Sequence, residues 1–165
     1  MLTASRTVLL ATRTLNVSRP MSTAAKSLYK TSAIASGKGR QGSVKHSETG
    51  FSSNLALPKS MGGPGNTSES LNPEILFSAG YASCFLGAVH AVAGAKKVKL
   101  PADTSVEAEI ELKKGDNFDL AAVITLTAKG VDKKALEDVL AAAHETCPYS
   151  RATRGNIDVK VKAVN

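Results

Sequence analysis

Cysteine is scarce in this chain: Cys84 and Cys147 are its two examples among 165 residues. Two thiols are too few for a disulfide framework or a thiolate zinc site, so any chemistry they carry is redox or nucleophilic, and the count favours an intracellular setting. Acidic residues are missing from the first 47 positions, which hold eight of the 21 Lys and Arg: Arg6, Arg13, Arg19, Lys26, Lys30, Lys38, Arg40 and Lys45. The 13 basic residues that remain face 14 acidic ones, so the formal charge of +7 does not describe the body of the protein. A nearly neutral body argues against the extended basic face that a phosphate backbone requires. Fixed charge is also missing from the 21 residues between Glu74 and Lys96, a stretch long enough to span a bilayer. It contains Ser78, Ser83, His90 and three glycines but few large aliphatics, which favours a buried core helix. His46, His90 and His144 show no metal-ligand spacing.

The opening segment MLTASRTVLLATRTLNVSRP is Arg-bearing, rich in Ser and Thr and free of acids, the composition of a mitochondrial transit peptide. Arg6 and Arg13 fall close to Leu2 and Leu9 on a helical wheel, so composition rather than amphipathicity carries this reading; a disordered basic leader is the alternative. Residues 1–24 are therefore read as the leader and residues 25–165 as one domain, which at this size buries roughly 70% of its unfolded surface. The expected address is the mitochondrial matrix. Met21, opening MSTAAKS, offers a start for a shorter, cytoplasmic form.

Beyond the leader, SLYKTSAIASGKGRQGSVKHS reads as two short strands about a glycine-rich turn, FSSNLALP as a third, and KSMGGPGNTSES as a loop. Asn72 is a candidate N-cap, Pro73 suits the first helical position, and Glu74 in the first turn suits the helix dipole, so a long helix begins there. Val106, Ala108, Ile110 and Leu112 then alternate with Glu107, Glu109, Glu111 and Lys113. The alternation resumes after KKGDNF at Phe118, Leu120, Ala122, Ile124 and Leu126, which predicts an antiparallel hairpin. Asp132 caps a second helix whose apolar face is Leu136, Leu140, Ala143 and Cys147, and Ile157, Val159, Val161 and Ala163 line a closing strand. Without βαβ alternation, this order predicts an α+β fold with two helices on antiparallel sheet.

Gly80, Gly87 and Gly94 recur every seven residues and form one stripe of the first helix, with Cys84, Ala88 and Ala91 beside it. Helix axes normally lie about 8–10 Å apart, whereas a disulfide needs Cα atoms within roughly 7 Å, so a bare stripe is what would let a second helix bring Cys147 to Cys84. The same glycines also suit plain helix packing with two inert thiols. Cys147 falls in the last helical turn, where the dipole disfavours a thiolate although Arg151 and Arg154 can offset it. Cys84 is mid-helix and needs a cation from elsewhere; Arg40, in the glycine-rich turn GKGRQG, is a candidate.

NPEILFSAGYASCFLGAVH, CPYSRATRGN and GKGRQG together resemble the organic hydroperoxide resistance (Ohr) branch of the Ohr/OsmC thiol peroxidases, over about residues 28–165. The resemblance implies an OsmC/Ohr-like fold with two central helices carrying the cysteines. It implies Cys84 as the peroxidatic thiolate, Cys147 as the resolving thiol, and Arg40 oriented over the thiolate by Glu74. It further implies an intertwined homodimer with sites at the interface and no metal or organic cofactor. The implied reductant is dihydrolipoamide, a lipoyl-type dithiol carried on a lipoylated protein. Lys38 departs from the small residues usual before the family's arginine. Ten residues of straight helix put Glu74 roughly 15 Å from Cys84, so either Arg40 bridges the two or the helix breaks near Gly80. An apolar wall from Phe77, Tyr81 and Phe85 would favour alkyl or lipid hydroperoxides over hydrogen peroxide.

Three other readings compete. Gly39-Arg40-Gln41-Gly42 matches the GxxG loop of KH-type RNA-binding domains, although such a loop joins two helices. His144 lies three residues before Cys147 and is a candidate base for a Cys147 nucleophile, without a third orienting group. A structural protein with two idle thiols is the third.

Overall fold

A computed structural model of the protein describes residues 26–165; the leader and the start at Met21 lie outside the described residues. The chain divides into two units, Met1–Thr31 and Ser32–Asn165. In the first, residues 26–31 carry no regular element. In the second, a four-stranded sheet comes first: β1 (Ala33–Ser36), β2 (Ser43–His46), β3 (Ser52–Leu55) and β4 (Ser70–Leu71), paired in that order. A short 3-10 turn, Gly39–Gln41, joins β1 to β2. The turn needs glycine after it, since a Cβ on Gly42 would lie 1.9 Å from the Ser36 carbonyl oxygen. None of the residues in these four strands is buried.

Helix α1 (Pro73–Lys96) starts where its sequence signals place it: the Asn72 side chain accepts from the Ile75 N–H at 2.7 Å, and Pro73 occupies the first turn. It ends on Lys97, held at φ 57°, with the Val98 N–H donating to the Ala93 carbonyl at 2.9 Å. That is the left-handed helix stop usually made by glycine. Tyr81, Phe85, Ala88, Val89 and Ala93 form its buried face, while Ile75, Ala79, Ser83, Gly87 and Ala91 remain exposed. By length and composition α1 could also cross a membrane; here its inner face belongs to the core.

Strands β5 (Ser105–Lys114) and β6 (Phe118–Thr127) form the expected hairpin, with Val106 opposite Leu126, Ala108 opposite Ile124 and Ile110 opposite Ala122. Asp132 caps α2 (Lys133–Thr146), accepting from the Ala135 N–H at 2.9 Å. A third helix, α3 (Pro148–Thr153), leads into β7 (Asp158–Val164). The core gathers Tyr81, Phe85 and Val89 with Ile124, Leu126, Leu136, Val139, Ala143 and Cys147.

The α+β class holds, but the sheets are mixed rather than antiparallel. β7 pairs parallel with β6, and β4 pairs parallel with β3. β7 lies beside β6 in the same direction, and the helices α2 and α3 supply the crossover connection that a parallel pair requires. The second correction concerns Cys147. Pro148 has no N–H to extend α2, so α2 stops at Thr146; Cys147, at φ −59° and ψ 124°, is the hinge between α2 and α3.

Candidate active site

Cys84 and Cys147 are 63 residues apart in the chain, and their sulfurs are 3.5 Å apart. Both are free thiols; Cys147 is fully buried and Cys84 partly exposed. A disulfide needs an S–S distance of about 2.05 Å, so closing the bond asks for a movement of about 1.5 Å. The fold achieves this approach differently from the glycine stripe expected. Gly87 and Gly94 face open space, with nothing within 4 Å of a built Cβ. Gly80 alone of the three is a contact position: its Cβ would meet the Tyr149 hydroxyl at 3.1 Å. One bare position beneath Tyr149, together with the turn of chain at Pro148, brings the second thiol to α1.

Burial pushes the Cys84 thiol above its ordinary pKa; the Tyr149 backbone amide in the first turn of α3 opposes this, and the neighbouring Cys147 adds to it. Exposure and acidity therefore pull in different directions. Cys84 is the more exposed of the two sulfurs, yet the surroundings supplied by its own chain raise its pKa.

Arg40 and Glu74 form the expected ion pair, joining the turn after β1 to the first turn of α1. Among the described residues the buried Arg40 Nε has no hydrogen-bond partner. α1 is continuous through Gly80, which removes the helix break as a way to bring Glu74 to the thiol. Among the described residues, Arg40 makes no hydrogen bond to Cys84 and is not among the groups that shift its pKa. The four site residues thus assemble as two pairs, Cys84 with Cys147 and Arg40 with Glu74. A cleft of about 390 Å³, lined in part by Met61, Glu74, Leu112 and Phe118, lies at the second pair, and a smaller one of about 130 Å³ is lined by Arg40, Met61, Leu112 and Phe118.

The aromatic wall needs revision. Tyr81 and Phe85 are fully buried and belong to the core, whereas Phe77 is partly exposed and stacks on Tyr149 at 6.1 Å between ring centroids and 13° between planes. Tyr149 was not among the residues predicted; its place in CPYS next to the cysteine was the available signal.

Sequence reasoning also missed a buried polar chain. The Tyr81 hydroxyl is 3.0 Å from Ser150 Oγ, and Ser150 Oγ is 3.1 Å from His144 Nδ1. His144 Nδ1 is thus bonded to Ser150, and among the described residues no hydrogen bond links His144 to Cys147 as a base would require. Arg154, a candidate to offset the dipole at Cys147, instead pairs with Glu145 at 2.9 Å and donates to the His144 carbonyl. Among the described residues no group of His, Cys, Asp and Glu has the arrangement to hold a metal ion. The Gly39–Gln41 turn joins two strands, where a KH loop joins two helices.

Comparison with known proteins gives this arrangement a family. The profile described as OsmC-like protein matches residues 64–162. The organic hydroperoxide resistance protein of Xanthomonas axonopodis pv. citri is 40% identical over 140 residues, covering 84% of this chain and 96% of its own. Among solved structures, an organic hydroperoxide resistance protein from Legionella pneumophila superimposes with a TM-score of 0.77 at 39% identity, covering 85% of this chain and all of its own. The OhrB protein of Bacillus subtilis gives 0.73 at 32% identity, covering 83% and 99%. Fold, motif spacing and these likenesses agree: the chain belongs to the OsmC-like family, in the branch of the organic hydroperoxide resistance proteins.

Proposed function

We propose that this protein is a two-cysteine peroxidase that reduces organic hydroperoxides to alcohols and so serves resistance to oxidative stress. The observation that carries the reading is the pair of free sulfurs at 3.5 Å, one reachable from outside and one buried. In the first step the Cys84 thiolate attacks the distal oxygen of ROOH; the O–O bond breaks, the alkoxide takes a proton and leaves as ROH, and Cys84 becomes a sulfenic acid. In the second step the Cys147 sulfur attacks Cys84 Sγ. The S–S bond forms, the S–O bond breaks, and the Cys147 proton leaves with the hydroxyl as water.

Because burial raises the pKa of Cys84, a cation beside the thiol would favour the first step. Arg40 fits that role: a fixed guanidinium favours the thiolate and the oxyanion that develops as the O–O bond breaks. A second copy of the chain is the source we propose, with its Arg40–Glu74 pair set over Cys84 in a homodimer. Two features support this: the sheet β1–β4 buries none of its strand residues, and an uncharged stripe of helix α1, Ile75, Ala79, Ser83, Gly87 and Ala91, is exposed. Phe77, Tyr149 and the cleft beside Arg40 offer apolar surface for an alkyl or lipid chain.

For regeneration we propose dihydrolipoamide on a lipoylated protein, and for address the mitochondrial matrix, with a cytoplasmic form starting at Met21; the composition of the leader supports that address. N-terminal sequencing of the protein from both compartments tests the two forms.

The catalytic reading is tested by consumption of cumene hydroperoxide with a dithiol reductant. Turnover that is lost in Cys84→Ser supports it. Turnover that persists in that variant contradicts it.

A further inference from the structure

The two cysteines are flanked by one buried hydrogen-bond chain, and each is one helical turn from a member of it. Tyr81 precedes Cys84 by three residues on α1. His144 precedes Cys147 by three residues on α2, and Ser150 follows it by three on α3. The contacts run from His144 Nδ1 to Ser150 Oγ at 3.1 Å and from Ser150 Oγ to the Tyr81 hydroxyl at 3.0 Å. From Tyr81 the chain continues to Thr153 Oγ1 at 3.4 Å, whose own proton goes to the Tyr149 carbonyl at 3.0 Å. Tyr81 and Ser150 are fully sealed from solvent, and Thr153 is buried. Burying three hydroxyls in an apolar core costs stability unless each is paired, and a fully paired network fixes one arrangement of the elements it joins.

The elements joined are those that must stay aligned for the sulfurs to meet. Cys84 stands on a continuous helix that other contacts hold in place. Cys147 stands on the hinge between α2 and α3, and among the described residues the one polar contact of its side chain is Cys84 Sγ. We infer that the Tyr81–Ser150–His144 chain is the positioning element of the resolving step, holding the α2–α3 hinge against α1 so that Cys147 reaches the Cys84 sulfenic acid. This inference rests on the two-cysteine reading above. With neutral His144 the hydroxyl protons run from Tyr81 to Ser150 to Nδ1; with protonated His144 they reverse and end on Thr153 Oγ1.

Ser150, Tyr81 and His144 touch no reacting atom, so removing them should separate the two steps of a single turnover. One equivalent of cumene hydroperoxide is mixed with reduced full-length protein. Sulfenic acid is trapped at set times with a 1,3-dione, and disulfide is counted by intact mass. In Ser150→Ala, loss of the Cys84 thiol should proceed within about twofold of the parent rate, while disulfide formation slows by about tenfold or more, the scale expected for a reacting group displaced by less than an ångström. His144→Leu, which leaves the sealed core position untouched, should do the same, and His144→Asn, whose amide oxygen can take the place of Nδ1, should recover most of the rate. Equal slowing of both steps would overturn the inference and make the network a general support of the fold. Parent-like disulfide formation in both Ser150→Ala and His144→Leu would also overturn it. Absence of disulfide in the parent protein itself is a different failure, that of the two-cysteine reading.

Discussion

Pro148 decides the position of Cys147. It ends α2 one residue before the cysteine would have become helical, and it turns the chain so that the thiol faces α1 at Cys84. Within the helical pattern Leu136, Leu140, Ala143 and Cys147 was a buried face, and it is; the hinge was legible only in the proline that follows. Tyr149 extends the same logic, since its ring lies over Gly80 and stacks on Phe77. Tyr149→Ala should raise KM for cumene hydroperoxide by about tenfold, the scale of one lost aromatic contact, and leave hydrogen peroxide turnover unchanged; equal losses on both would remove the wall from the account. His144 gives a pH dependence. Burial, and then Arg154, lower its pKa below 6.5, so the folded protein prefers the neutral ring. Its contribution to stability is present above pH 6.5 and lost as pH falls through the lower folded value. Between pH 7.5 and 5.5 the melting temperature of the parent should therefore fall further than that of His144→Asn, and parallel declines would contradict this assignment.

At the scale of elements, the ends of helices were the most legible part of the sequence, because a cap needs a few adjacent residues. Asn72 illustrates it. It caps α1, and its amide also donates to Asn66 at 2.9 Å, while Asn66 donates to the Ala56 carbonyl, so one side chain fastens the loop before the helix as well. Asn72→Ala should cost about 1–2 kcal/mol in urea unfolding. The other end offers the opposite sign: Lys97 holds a left-handed conformation, and Lys97→Gly should stabilise by about 1 kcal/mol in the same assay. The hairpin was legible for a similar reason, its alternation being local. The parallel entry of β7 was not, because strand direction depends on where a crossover lands. The hydroxyl network was not legible either. Ser, Tyr and Thr are ordinary surface residues until a tertiary contact buries them.

The whole molecule raises the question of the missing cation. Arg40 and Glu74 were readable as a pair from the family resemblance of their motifs, and their ion pair forms, yet among the described residues Arg40 makes no hydrogen bond to the Cys84 thiol and does not shift its pKa. A single sequence states which residues a site contains and not which copy supplies them. If a second copy does, the full-length chain should sediment at twice its 17.1 kDa mass. Mixing Arg40→Ala with Cys84→Ser chains under exchange conditions should then restore peroxidase activity, because mixed dimers contain one site with both groups intact. No recovery from mixed dimers would place Arg40 and Cys84 of one chain in the same site. The chemistry of the two thiols comes before the dimer, and one experiment addresses it. Reduced protein receives one equivalent of cumene hydroperoxide, and the product is examined by intact mass and peptide mapping beside Cys84→Ser and Cys147→Ser. The account predicts stoichiometric alcohol, loss of two hydrogens from the protein and a Cys84–Cys147 linkage absent from both variants. Folded protein that keeps both thiols free after the hydroperoxide is added would contradict it.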